Sequence, residues 1–197
     1  MTQTHLLIAA TLFAKPGRTR RNASTIAGAL APDAAIFVLF AWAVAAGIPQ
    51  ETLWRETYWT EPWQSLTAAG NSFPLYMAGL LAGFALVAPD DGRPRWQTLP
   101  VLFCLAALTH LLGDFPLHND DAHQHLWPLS DWRFYSPVSY WDRDHYAGVV
   151  APLETLLGLM LCVVLFRRFR ALWVRIVLGT CFMAYLAVPL FFILSMG

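Results

Sequence analysis

Charge is scarce in this chain: Asp, Glu, Lys and Arg make up only 13% of its 197 residues, against roughly a quarter in an average soluble domain. A chain so poor in charge is suited to facing lipid. The thirteen basic and thirteen acidic residues cancel, so there is no net basic charge of the kind that nucleic acid attracts and no acidic excess for a basic partner. Cysteine is scarce too. Cys104, Cys162 and Cys181 stand apart within apolar runs, with no Cys-x-x-Cys pair, which excludes a zinc knuckle or a disulfide framework and leaves buried, inert thiols as the expectation. The order expected of a cleaved leader is also missing. Lys15, Arg18, Arg20 and Arg21 follow the apolar Met1–Ala14 segment rather than precede it, so that segment is expected to stay on the mature protein.

Apolar residues are what the chain has in quantity, at 57%, together with nine tryptophans suited to the membrane–water interface. Six apolar stretches follow one another: Thr4–Ala14, Ser24–Gly47 with Pro32-Asp33 interrupting it, Ser72–Ala88, Leu99–Phe115, Ala147–Phe166 and Ala171–Leu194. The first falls short of the ~20 residues a span requires, and the third and fourth are near the lower limit. The expected architecture is all-α: a polytopic transmembrane bundle of about five to six helices forming one integral membrane domain over residues 1–197. A long polar and aromatic loop, Pro116–Tyr146, precedes the fifth stretch. Lys15–Arg21, Arg93–Arg95 and Arg167–Arg170 are short basic connections, and the positive-inside rule places all three in the cytoplasm. The Trp-rich connection Gln50–Gly70 and the long loop then fall on the periplasmic side of a bacterial inner membrane. In that topology Asp33 lies nearer the inner side than His110, unless the chain re-enters at Pro32.

Ionisable residues within apolar helices are costly and face a cavity or a partner. Each one here also has an ordinary reading. His5 can be a hydrogen-bonded packing residue, Asp33 a helix cap after Pro32, and Glu154 a carboxylate favoured by the dipole of a helix start. The segment from His110 to His125 is denser. His110 and Asp114 are four apart and project from one helix face, and an imidazole with a carboxylate on one face is a natural pair of ligands for a divalent ion. His118, Asp120, Asp121, His123 and His125 follow, so that five of the six histidines lie between His110 and His145. With no cysteine among them, they suit a hydrolytic or oxygen-rich site better than a structural zinc clamp. The alternative is a polar loop rich in histidine. In Leu126–Asp142 the aromatics read as an interfacial belt or a roof over the site, and Asp131 and Arg133 as a pair or as contacts for an anionic substrate.

Three blocks carry a family likeness: Thr4-His5-Leu6-Leu7; Gly28-Ala29-Leu30-Ala31-Pro32-Asp33; and Thr109-His110 to Asp114 followed by Trp127-Pro128-Leu129-Ser130-Asp131-Trp132-Arg133-Phe134. In order and spacing they resemble the bacterial LexA-regulated, inner-membrane family of metal-dependent hydrolases, over roughly His5 to Glu154. The resemblance implies an all-helical membrane protein in which His5, Asp33, His110 and Asp114 converge on one or two divalent ions, zinc foremost. A remoter likeness is to zinc-dependent phospholipase C. One departure stands out: where the family has a Thr-His block opening the third apolar stretch, this chain has Gly70-Asn71-Ser72, and His118, His123 and His125 are candidate replacements.

The leading expectation is a membrane-bound metal-dependent hydrolase acting on a phosphoester or lipid at the periplasmic face. His5, Asp33, His110, Asp114 and His123 would be metal ligands, with His118, Asp121 and Glu154 as catalytic candidates. A non-catalytic membrane protein that binds metal, transports or carries a partner is the alternative.

Overall fold

The structure is a computed structural model that describes residues 1–89 and 92–196. Nine α-helices follow one another among these residues, with no strand: α1 (Thr2–Phe13), α2 (Thr19–Leu30), α3 (Ala34–Ala45), α4 (Gln50–Arg55), α5 (Glu61–Gly70), α6 (Phe73–Leu86), α7 (Leu99–Asp114), α8 (Ala147–Arg168) and α9 (Leu172–Met196). The all-helical expectation holds. The number of spans does not. Among the described residues, two helical segments, Ala147–Arg168 and Leu172–Leu190, are long and apolar enough to cross a membrane. A third crossing results only if the bent pair α2 and α3 counts as one. The reason is length. At 1.5 Å per residue, helices of 12 to 16 residues reach only about 18–24 Å of the ~30 Å hydrocarbon core.

Helix α7 is the centre of the packing and contacts α1, α2 and α6. Val101, Leu102, Ala106, Ala107 and Leu111 on it are fully buried. Small residues set the closest approach: a Cβ on Gly28 would lie 2.1 Å from the Phe103 carbonyl oxygen, so α2 meets α7 backbone to backbone. Helix α1 packs against α2, α7 and α8, and α9 packs on α8. Leu7, Cys162, Leu165 and Leu178 form the core between them. The outer faces of α3, α8 and α9 stay apolar and exposed, as Val38, Val44, Val149, Leu153 and Ile176 illustrate.

Helix polarity sorts the molecule into two ends. At one end Arg168, closing α8, donates to the Thr11 carbonyl at the close of α1 over 2.6 Å. Ser24 on α2 donates to the Leu99 carbonyl at the start of α7, and Arg20, Arg21 and Arg93 line one small cavity there. The three basic connections therefore share this end. At the opposite end are the first turns of α1, the last turn of α7 and the first turns of α8.

Two expectations change in the connections. Gln50–Gly70, read as a loop, folds into α4, a 3-10 turn at Thr57–Trp59 and α5. Its start signals are present: Thr60 at the N-cap position, Pro62 in the first turn and Glu61 beside it. Arg133, read as a partner of Asp131 or of substrate, instead donates to the Ala122 carbonyl and to Gln64 and so ties the long loop to α5.

Candidate metal centre

The centre forms where the last turn of α7 meets the first turns of α1 and the bend between α2 and α3. That bend is 73°. It follows from Pro32 and is held by Asn71, which is fully buried and donates through Nδ2 to the carbonyls of Pro32 (3.2 Å) and Thr67 (3.0 Å). The bend carries Asp33 to the site end, where its Oδ1 stands 3.6 Å from His110 Nε2. The depth mismatch expected between Asp33 and His110 is therefore resolved by re-direction of the chain. Asn71 acts in this structure as a buried hydrogen-bond donor that shapes the turn.

Asp114 is the hub. Three imidazole nitrogens face it: His5 Nε2 at 2.7 Å and His118 Nε2 at 3.5 Å from Oδ1, and His110 Nε2 at 3.1 Å from Oδ2. The His5 and His110 rings stack with centroids 4.1 Å apart. Gly113 makes room for this stack, because a Cβ there would lie 2.7 Å from His5 Cε1. His5, His110, Asp114, His118 and His123 are all buried.

The orientation of the rings is chemically specific. His110 Nδ1 lies 2.7 Å from the Ala29 carbonyl oxygen. A carbonyl only accepts, so Nδ1 carries a proton; Nε2 donates to Asp114 Oδ2, and a cation that displaced that proton would take the Nε2 lone pair with the ring held from behind, the arrangement that fixes metal-binding imidazoles elsewhere. His118 Nδ1 lies 2.9 Å from Asp121 Oδ2 as an ion pair, out of line for a hydrogen bond, and Trp141 Nε1 donates to the same carboxylate oxygen. The spacing also fits. Two ligand atoms each ~2.0–2.1 Å from a tetrahedral zinc are about 3.3 Å apart, and the inward nitrogens lie 2.7–3.5 Å from Asp114. Two trios of ligand atoms, each within 4.8 Å, meet the geometric need of a cation: His5, His110 and Asp114, and Asp114, His118 and His123.

Electrostatics in the loop follow the same pairing. Burial opposes the charged form of His118, but Asp114 and Asp121 outweigh it and hold its pKa at about 9. Burial likewise works against the Asp121 carboxylate, and His118 more than reverses this, drawing its pKa below the ordinary value. His123 and His125 lack such a partner; burial takes them down to about 3 and about 4. His125 packs between Phe73 and Phe115, while its carbonyl accepts from the Phe73 amide.

The other sequence candidates fall to the side. Glu154 Oε1 accepts from Thr4 Oγ1 at 2.6 Å and lies 3.3 Å from the Met1 amine. Thr4 has given up its one hydroxyl proton there, so Tyr185 donates to Thr4. Glu154 belongs to neither ligand trio. His145 pairs with Asp142 in the loop.

No family model, curated protein or solved structure matches the chain, so the chemistry is read from these residues alone. A cavity of about 850 Å³ opens over the centre. Asp33, Asp114 and His118 line it, as do Phe37, Trp54 and Tyr58. Phe37 comes from α3, Trp54 from α4 and Tyr58 from the 3-10 turn, a convergence that residue types and spacing do not announce.

Proposed function

We propose that the protein is a membrane-bound metal-dependent hydrolase of phosphoester or lipid substrates, with its site at the periplasmic face of a bacterial inner membrane. The observation that carries this reading is the convergence of three buried imidazole Nε2 atoms on Asp114 at the wall of a cavity lined by both acidic and aromatic side chains. His5, Asp33, His110 and Asp114 would hold the ion, zinc being the best match to imidazole and carboxylate at this spacing. A bound divalent ion polarises a phosphoryl or carbonyl oxygen and brings the pKa of its water to about 7. The Asp121–His118 pair beside Asp114 is placed to deliver a proton or, once deprotonated, to extend the ligand set. Phe37, exposed on α3, joins the cavity to a face that suits lipid, which favours an amphiphile with its polar head toward Asp114. The gathering of the basic connections at the opposite end supports a periplasmic site.

The test is phosphate release by detergent-purified, zinc- or manganese-loaded protein, from phosphatidic acid in mixed micelles and from soluble phosphomonoesters. The expected result is metal-dependent release that chelation and His110→Ala both abolish. Tight metal binding with no turnover of any substrate would move the protein to the non-catalytic metal-binding reading. The dense His5–Asp114–His110 hydrogen bonding favours the other non-catalytic alternative, a cluster that only stabilises the fold, which a wild type with neither metal nor turnover would indicate.

A further inference from the structure

We infer that the small cavity at the basic end, between the starts of α2 and α7, binds a phosphate group, carried by an anionic lipid headgroup or free in solution. The inference is independent of the metal centre, which lies at the other end of the molecule. The cavity holds about 250 Å³ and is lined by Arg20, Arg21 and Arg93, with Gln97 and Thr98 beside them; among the described residues no carboxylate lines it. That volume is below the ~300–1,000 Å³ of a pocket for a drug-sized ligand and suits a phosphate-bearing headgroup. The surroundings carry the same sign. Residues 15–21, 89–97 and 167–175 together hold ten basic and two acidic side chains, so an anion approaches through a positive field.

Three observations point to an anion. First, Arg20 and Arg21 stand in the first turn of α2, which has no acidic residue and no side-chain cap. The positive end of a helix dipole favours carboxylates and disfavours cations, so this helix starts with charge of the wrong sign. Arg93 and Arg18 add like charge against Arg21. A phosphate among them reverses both penalties. Second, Arg21 Nε is buried with no hydrogen-bond acceptor. Buried donors are almost always paired, and a phosphate oxygen is the acceptor that suits the guanidinium fork. Third, α7 opens on the same cavity through Thr98 and Leu99. Thr98 turns its hydroxyl to the Arg95 carbonyl and does not cap the helix. The first backbone N–H groups of α7 are thus left for a ligand, as in phosphate sites at helix starts. Ser24, one turn along α2, donates to the Leu99 carbonyl and holds the two starts together. Val87 and Leu99 give the cavity an apolar side, and Leu86 next to it is 83% exposed. That path for acyl chains favours a lipid headgroup, in keeping with the basic pockets that bind anionic lipids on the cytoplasmic side of membrane proteins.

The experiment compares the two phosphate sources on the full-length protein in neutral detergent. Thermal melting is followed with phosphatidylglycerol, with phosphatidylcholine at the same concentration, and with sodium phosphate against sodium chloride of equal ionic strength. Native mass spectrometry reads which lipid is retained. The expected result is a higher melting temperature with phosphatidylglycerol than with phosphatidylcholine, and its preferential retention. A matching shift with sodium phosphate alone would assign the site to the free ion. Arg20→Gln/Arg21→Gln should lose the shift and the preference, with Arg21→Gln standing in should the double variant not fold. Arg167→Gln/Arg170→Gln, elsewhere at the same end, should keep both, and so should chelated wild type, in which metal is removed as a source of phosphate binding. Equal effects of the two lipids with none from phosphate would overturn the site. So would a preference that survives in Arg20→Gln/Arg21→Gln, one lost equally in Arg167→Gln/Arg170→Gln, or one that chelation abolishes.

Discussion

Gly113 shows how little room the centre leaves at the residue scale. A single methyl there would meet the His5 ring at 2.7 Å, so Gly113→Ala must push that imidazole away from Asp114. Zinc affinity is expected to fall by about 10–100-fold, the loss typical when a ligand's support is disturbed, as measured by competition with a chelating dye. The histidines also set a pH profile for the metal-stripped protein. His118, with its pKa raised to about 9, stabilises the fold in its protonated form. That contribution is complete below the ordinary value of about 6.5 and is lost as pH rises through about 9. His123 and His125, held down at about 3 and about 4, act in the opposite sense. Their contribution is complete above about 6.5 and is lost as pH falls towards those values. Thermal melting of chelated protein in detergent should therefore peak near pH 6.5 and fall on both sides, and saturating zinc should remove the alkaline fall. A melting temperature flat from pH 5 to 9 would contradict the pairing of His118 with two carboxylates. His110 and Asp114 were legible in the sequence because helical spacing puts i and i+4 on one face. The roles of Ala29, Gly113 and Asn71 were not, since each acts through a backbone contact or a shape that no residue type announces.

Elements position these residues, and the bend between α2 and α3 does the most. Pro32 was visible as an interruption, but the sequence alone could not show that Asn71 would reach across from the end of α5 to hold it. Asn71→Ala removes two buried hydrogen bonds and should cost about 1–3 kcal/mol, read by thermal melting in detergent. It should also weaken metal binding through Asp33. An Asn71→Ala protein with unchanged stability and affinity would show that the turn is held elsewhere. Gly28→Ala tests the neighbouring contact. Its Cβ would strike backbone rather than a movable side chain, so a loss of at least about 1–3 kcal/mol is expected. Hydropathy located the apolar stretches well, yet it could not separate a span from a short helix buried by its neighbours. That is why α6 and α7, apolar stretches near the lower limit for a span, prove to be helices of only 14 and 16 residues.

At the scale of the whole molecule the account divides the protein into a basic end and a metal-binding end. In the proposed topology the positive-inside rule puts the basic end in the cytoplasm and the other end in the periplasm. A cysteine placed at Asp131, exposed in the long loop, should react with an impermeant maleimide in intact cells. One placed at Arg170 should react only after the membrane is opened. The reverse pattern would invert the topology. The central claim, that the cluster around Asp114 is a metal centre, is tested most directly by elemental analysis of the detergent-purified protein beside His110→Ala and Asp114→Ala variants. Near-stoichiometric or greater zinc or manganese is expected in the wild type, with its loss in Asp114→Ala and a marked reduction in His110→Ala. A folded wild-type protein that holds no metal even after reloading would contradict it.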